Sequence, residues 1–190
     1  NHNTAFGSGA LRQATTGVYN TAFGRDSLNQ TTTGGRNTAT GPFALLLNTT
    51  GTYNTASGYY ALNKNTTASN NVGIGAWAAY CNTTGSSITA IGTSALSENT
   101  TGNYNTAVGV SALQNNTTGY YNTATGYQTL RQNTTGYNNV ALGQVAGYAN
   151  TTGYDNTFIG YGSAQLNTTG HSNATLGRRS LNQNTTGNWN

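Results

Sequence analysis

The sequence repeats every 17 residues, without insertion or deletion, from residue 3 to residue 189. Each of the eleven copies has 17 positions, numbered here from the Asn that begins ten of them. A strict period of this length is typical of stacked repeats, in which each copy forms one turn, or rung, of a solenoid. The copies begin at residues 3, 20, 37, 54, 71, 88, 105, 122, 139, 156 and 173.

Glycine is invariant at position 5, and two threonines are invariant at positions 13 and 14, from Thr15 and Thr16 to Thr185 and Thr186. An invariant glycine indicates a positive φ or a close approach of another backbone segment. We therefore assign a structural role to Gly7, Gly24, Gly41, Gly58, Gly75, Gly92, Gly109, Gly126, Gly143, Gly160 and Gly177.

The remaining positions favour short strands and turns. Positions 2 and 4 are β-branched or apolar in most copies, and this alternation predicts a strand that buries those two positions. Position 8 is always Ala, Ser or Thr and position 9 is Leu in eight copies, which predicts a second short strand. Asn-Thr-Thr-Gly at positions 12 to 15 predicts a closing turn. A helix is disfavoured because Gly, Asn and Thr, which are weak helix formers, recur every few residues.

All ten charged residues fall at the variable positions 6, 7, 10, 11 and 17, which we expect to face water. The chain therefore predicts an all-β, parallel β-solenoid of eleven 17-residue rungs. We expect residues 1–190 to form one continuous array, a fragment of a longer chain. Stacked asparagines at positions 1 and 12 are expected to pair their side-chain amides between rungs.

Composition excludes several functions. Charged residues are 5% of the chain, and the seven Lys and Arg form no basic run, so a nucleic-acid interface is not expected. A disulfide within the chain is impossible because Cys81 is the only cysteine. No apolar run approaches the roughly 20 residues of a membrane span. No cofactor or metal site is predicted.

The phrase Asn-Thr-Ala-x-Gly-x-x-Ala-Leu resembles the head repeats of trimeric autotransporter adhesins. With Asn-Thr-Thr-Gly-x-Tyr between units, the chain is also similar to repeat arrays of bacterial and phage tail-fibre-like surface proteins. The resemblance covers the whole chain and implies a left-handed β-roll, often trimeric, at a cell surface or on a virion. The period is a departure, because the autotransporter heads have shorter rungs.

Catalysis is not expected. The three acids, Asp26, Glu98 and Asp155, lie in different rungs, the closest pair about 14 Å apart along the rod. Glycosidase carboxyl pairs lie roughly 5 to 9.5 Å apart. We therefore expect a structural component of an extracellular fibre, stalk or adhesin. We expect it to associate with itself, either as a homo-oligomer such as a trimer or as an end-to-end filament. The alternatives are a phage tail-fibre shaft and a solenoid that binds ice or glycans.

Asn-Thr-Thr has two interpretations. It matches the N-glycosylation pattern, but it also fits turn chemistry combined with an asparagine ladder. Two copies replace the Asn by Ala14 and Thr31 and keep both threonines, which favours the ladder. The candidate glycosylation positions are Asn48, Asn65, Asn82, Asn99, Asn116, Asn133, Asn150, Asn167 and Asn184.

Tyrosines concentrate at positions 16 and 17 of neighbouring copies. We expect them to stack one rung apart as an exposed strip, either stiffening the rod or forming a platform for neutral surface glycans. The members of this candidate strip are Tyr104, Tyr120, Tyr121, Tyr137 and Tyr154. Ice binding would instead use the threonine columns, where adjacent threonines point to opposite faces and only one of each pair can contribute.

Overall fold

The structure, a computed structural model, describes residues 2–190, so Asn1 lies outside the described part of the predicted array. It is a parallel β-solenoid with one three-residue strand per rung. This confirms the predicted fold class and period. The strands are β1 Thr4–Phe6, β2 Thr21–Phe23, β3 Thr38–Thr40, β4 Thr55–Ser57, β5 Val72–Ile74, β6 Thr89–Ile91, β7 Thr106–Val108, β8 Thr123–Thr125, β9 Val140–Leu142, β10 Thr157–Ile159 and β11 Ala174–Leu176.

The eleven strands form one sheet in sequence order, and each pairs with the next in parallel. The register is an offset of 17 throughout, as in Ala90 opposite Ala107 and Ala107 opposite Ala124. Adjacent strands of a sheet lie about 4.8 Å apart, so eleven rungs make a rod about 50 Å long. Within residues 2–190 there is no helix that would span a bilayer.

The turns of each rung are also paired between rungs. Gly109 N donates to Ile91 O at 2.7 Å, Ser111 N to Thr93 O at 2.9 Å, and Leu113 N to Thr129 O at 3.0 Å. The same bonds recur from rung to rung along the rod. The backbone thus satisfies its hydrogen bonds around almost the whole circumference, which lets a rung consist mainly of turns.

The strand buries the side chains of the opposite face from the one predicted. Position 3 points inward, and residues such as Ala90 and Ala107 are fully buried. Positions 2 and 4 point outward, and Ile74 and Ile91 are 40% and 37% exposed. Side chains alternate along a strand, so only one of the two sets can face the interior. The rung is narrow, and the small alanine occupies the inner place while the larger side chains lie outside.

The predicted second strand at positions 8 and 9 is also wrong. These residues lie in a turn, and the position-9 leucines have positive φ, 52° at Leu96 and 50° at Leu113. Both leucines are nonetheless fully buried. A bulky residue in this region costs on the order of 1–3 kcal/mol. Burying a leucine contributes about 1.5–3 kcal/mol, which offsets that cost.

The core is thin, and at one place a large side chain is compensated by small residues beside it. Each rung contributes mainly an alanine at position 3, a small residue at position 8 and a leucine at position 9. Where Phe158 replaces the alanine, position 9 is reduced to Ala164 in the same rung and to Gly147 in the preceding rung. A Cβ on Gly147 would lie 2.5 Å from Phe158 Cδ2. The large ring therefore takes the space of the missing leucines.

The position-5 glycines end the strands, and both their backbone conformation and their packing require glycine. Gly92 has φ +128°, which side chains rarely adopt, and a Cβ there would lie 2.6 Å from the carbonyl oxygen of Gly109 in the next rung. The same clash recurs at successive rungs, because each position-5 glycine lies against the next. The structural assignment of these residues is thus explained by backbone conformation and by inter-rung packing.

We predict that Gly109→Val lowers the free energy of unfolding by about 3 kcal/mol or more, because strain and a backbone clash add together. Gln144→Val is the matched control at an exposed position in a neighbouring region of the rod. Urea denaturation followed by circular dichroism measures both. Equal midpoints for the two variants would contradict the assigned role of the position-5 glycine.

Candidate functional site

A ladder of asparagine side chains runs through the rod at position 12. In the seventh rung, Asn116 Nδ2 donates to Asn99 Oδ1 of the preceding rung at 2.8 Å and to the carbonyl of Gly119 at 3.0 Å. The pattern is unbroken from Asn48 to Asn184. The predicted pairing of stacked amides is thus confirmed at this position.

A second ladder occupies position 1 and uses the backbone as well. Asn122 N donates to Asn105 Oδ1 at 3.0 Å, and Asn122 Nδ2 donates to the carbonyl of Gly136 at 2.8 Å. Ile88 interrupts the column of amides, but its backbone N still donates to Asn71 Oδ1 at 3.0 Å. In eight rungs both ladders converge on the position-15 carbonyl, as at Gly119 O, which accepts from Asn105 at 2.7 Å and from Asn116 at 3.0 Å. Hydrogen bonds therefore replace the apolar packing that a wider core would supply.

The candidate glycosylation asparagines are the position-12 ladder. Eight of the nine are buried, and Asn184 is half-buried at the last complete rung. Each Nδ2, the atom to which a glycan would be joined, already donates to the carbonyl three residues later. In the folded rod the eight buried amides are inaccessible, which favours the structural interpretation of the Asn-Thr-Thr motif.

The two invariant threonines have different environments. The position-13 hydroxyl donates to the position-13 carbonyl of the next rung, as Thr117 Oγ1 does to Thr134 O at 3.1 Å. The position-14 side chains, Thr118 among them, are exposed in all eleven rungs. One threonine of each pair is thus used within the rod, as predicted, and the other forms a single outward column.

The tyrosines of the candidate strip stack as predicted. Tyr120 and Tyr137 have ring centroids 5.1 Å apart at an interplanar angle of 4°, and Tyr137 and Tyr154 are 4.9 Å apart at 7°. Tyr104 stacks on Tyr121 at 4.8 Å in the adjacent column. His171 continues the stack beyond Tyr154 at 4.6 Å, and sequence reasoning had not included it.

The stacking decides what the strip presents to solvent. Because consecutive rings are nearly parallel, the faces of Tyr137 are covered by Tyr120 and Tyr154, and only ring edges and hydroxyls point outward. Partial desolvation and then the neighbouring tyrosines raise the pKa of Tyr137 above its usual value of 10.0, so its hydroxyl is neutral at neutral pH. Sugars pack on the faces of aromatic rings, so the geometry favours stiffening over glycan binding.

A second aromatic cluster was missed by the sequence analysis. At position 7, Phe43, Tyr60 and Trp77 stack in successive rungs with centroids 4.8 Å apart. Tyr59 lies edge-on against Tyr60 at 4.4 Å, and Arg25 lies over the Phe43 ring at 5.1 Å. The signal was available in the sequence, because these three aromatic residues recur at an interval of 17.

The three acids lie in different rungs, and each has its own polar neighbours. Asp26 pairs with Arg25 at 3.3 Å, and Asp155 accepts from Asn138 at 3.0 Å. Cys81 lies between Lys64 and Glu98 at position 11, with its thiol donating to Glu98 Oε2 at 3.6 Å. Burial, followed by the Glu98 charge, raises the pKa of this thiol despite the opposing effect of Lys64. Cys81 is therefore a weak nucleophile.

Residues 2–190 show no cavity and no group of three or more His, Cys, Asp or Glu that could hold a metal ion. No protein-family model, curated protein or solved structure matches the chain. The features that recur through the molecule are thus the two asparagine ladders, the aromatic stacks and the outward face of the sheet.

The ladder leads to a prediction at its interrupted end. Thr31 occupies position 12, and its Oγ1 is the one buried side-chain polar atom without a hydrogen-bond partner in the described residues. Thr31→Asn would supply an Oδ1 for the Asn48 amide and an amide for the Gly34 carbonyl. We expect the free energy of unfolding to rise by about 1–2 kcal/mol, as measured by urea denaturation.

Thr33→Asn, the same change at the exposed position 14 of that rung, is the control and should leave stability unchanged. No gain from Thr31→Asn relative to this control would mean that the ladder contributes little to stability.

The stacked tyrosines lead to a second prediction. Replacing Tyr120, Tyr137 and Tyr154 together by Ser removes stacked pairs that each contribute roughly 0.2–1 kcal/mol. We expect a lower melting temperature and unchanged retention on arrays of neutral glycans, because the ring faces are already covered. Loss of glycan retention at an unchanged melting temperature would instead assign the strip to binding.

Proposed function

We propose that this chain is a rigid structural segment of an extracellular fibre, stalk or adhesin, with no catalytic role. The observation that carries the proposal is the repetition of one hydrogen-bond set through the rungs, in both the backbone and the two asparagine ladders. A rod built this way has a fixed rise per rung and few points at which it can bend. Its length is therefore set by the number of repeats.

The source of stability suits a protein exposed outside a cell. The ladders are uncharged, so their strength depends little on salt or pH. Stability requires no disulfide, since the chain has a single cysteine. The seven Lys and Arg residues, where trypsin would cleave, lie in rungs whose backbone is paired with its neighbours. These properties support a segment that resists proteases and changing solution conditions.

A phage tail-fibre shaft would have the same physical properties and differs only in the particle that carries it. Glycan binding is less well supported, because the tyrosine rings cover one another. Ice binding through the threonine motif is also less well supported. Within the motif only position 14 supplies an exposed column, because the position-13 hydroxyls donate within the rod. The outward threonines at position 2 of the strands lie beside a position-4 column of mixed residue types.

The rod is tested by distance measurement. With Cys81→Ser as background, dyes on Gln13→Cys and Gln183→Cys would lie ten rungs apart, about 48 Å along the axis. Deleting residues 88–138 removes three rungs and should shorten the axial distance between the dyes to about 34 Å. We expect narrow distance distributions by single-molecule energy transfer. Broad distributions, or no shortening on deletion, would contradict the proposed rod.

The location of the protein is tested separately. Antibodies raised against the folded array should label filaments at the surface of the source cell or particle in immunogold electron microscopy. Labelling confined to the cell interior would contradict an extracellular fibre, even if the rod itself had the expected length.

A further inference from the structure

The outward face of the sheet carries large apolar side chains at position 4 in eight of the eleven rungs and a hydroxyl residue in the other three. Its position-4 column includes Phe23, Ile74, Ile91 and Leu142, which are 54%, 40%, 37% and 49% exposed. The parallel position-2 column consists of threonine and valine in ten of the eleven rungs. A single exposed apolar residue is ordinary, but here several large ones share one column that the single chain leaves uncovered.

The strand face, defined as positions 2 and 4 of β1 to β11, is continuous along the rod and carries no charged residue. Apolar side chains grouped on one outward surface, as Ile74, Ile91 and Val108 are in successive rungs, mark interaction sites. Resting on the proposed fibre function, we propose that the strand face is covered by the strand face of a second copy of this chain.

The periodicity of the face identifies the partner. Side chains recur on it at one strand spacing, about 4.8 Å, over eleven rungs. A partner must present the same interval to stay in register along this length, and a second copy does so at every rung. A globular partner with an irregular surface would match only a few rungs. The repeat that builds the rod therefore also builds a surface complementary to itself.

The charge distribution permits this contact. The chain carries a net charge of +4, so two copies repel each other overall. Every charged residue lies at positions 6, 7, 10, 11 or 17, outside the strand face. Two rods can therefore meet on their strand faces while their charges remain in solvent, where salt screens the repulsion.

The area is sufficient for a specific contact. Eleven strands at about 4.8 Å and three residues at about 3.3 Å give a face of roughly 50 by 10 Å, or about 500 Å² on each copy. Two such faces bury about 1,000 Å², the lower limit for a specific interface. Because the area grows with each rung, a longer array would associate more tightly.

The inference is tested by placing charge on the face. Ile74→Lys, Ile91→Lys and Leu142→Lys together put three positive charges at exposed position-4 sites. The control places lysine at the exposed position 14 of the same rungs, through Thr84→Lys, Thr101→Lys and Thr152→Lys. Sedimentation velocity measures the mass. We expect the parent chain and the control to sediment as multiples of 19.7 kDa, and the face variant as a monomer.

A variant of opposite charge provides a second test. A variant with glutamate in place of Ile74, Ile91 and Leu142 should also be monomeric alone, and mixing it with the lysine variant should restore the larger species. If either charged variant fails to fold, a triple threonine variant at the same positions retains strand propensity and should associate at least tenfold more weakly.

A parent chain that stays monomeric at high concentration would overturn the inference, as would a lysine variant that associates like its control. A monomer that shapes ice crystals or lowers their growth temperature would assign the strand face to ice instead. None of these outcomes alters the distance measurement on the single rod, so the fibre proposal and the self-association proposal fail independently.

Discussion

Hydrogen bonding between rungs is the constraint on which the rest of the structure depends. Each rung has a strand of only three residues and a thin core of alanine and leucine, so apolar burial alone is small. The backbone hydrogen bonds of the turns and the amide ladders at positions 1 and 12 supply the rest of the contacts that hold the rungs together. A buried asparagine is favourable here because its neighbours in the adjacent rungs supply its hydrogen-bond partners.

The same constraint explains why the period is fixed. An inserted residue would shift every later side chain relative to its partner one rung away, breaking both ladders at once. It would also move a position-5 glycine away from the neighbouring glycine against which it packs. Most variation instead falls at positions that face solvent, and one large core residue, Phe158, is matched by the small Gly147. Ile88 and Thr31 are buried exceptions, each of which interrupts one ladder. The uniform repeat is thus a packing requirement.

Uniformity also determines what the surface can do. A side chain placed at one position in consecutive copies becomes a stack, and the tyrosines at position 16 and the aromatics at position 7 both do so. Stacking covers ring faces and converts an apparent binding platform into a stiffening element. On the strand face Phe6 stacks on Phe23 in the same way, but the aliphatic side chains of Ile74, Ile91 and Leu142 remain exposed. Self-association on this face would make the repeat responsible for both the rod and its assembly.

The sequence by itself determined the solenoid, its 17-residue rung, the asparagine ladders and the stacking of Tyr120, Tyr137 and Tyr154, because each follows from identical residues recurring at a fixed interval. It could not determine which strand face is buried. Alternation requires only that positions 2 and 4 oppose position 3, and the width of the rung interior selects the alanine. Nor did it reveal the turn at Leu113, whose positive φ is stabilised by burial. At position 9 of the ninth copy, Gly147 was the one sequence signal for a positive φ at this position. Tertiary packing imposes the same conformation on the leucines of the other copies.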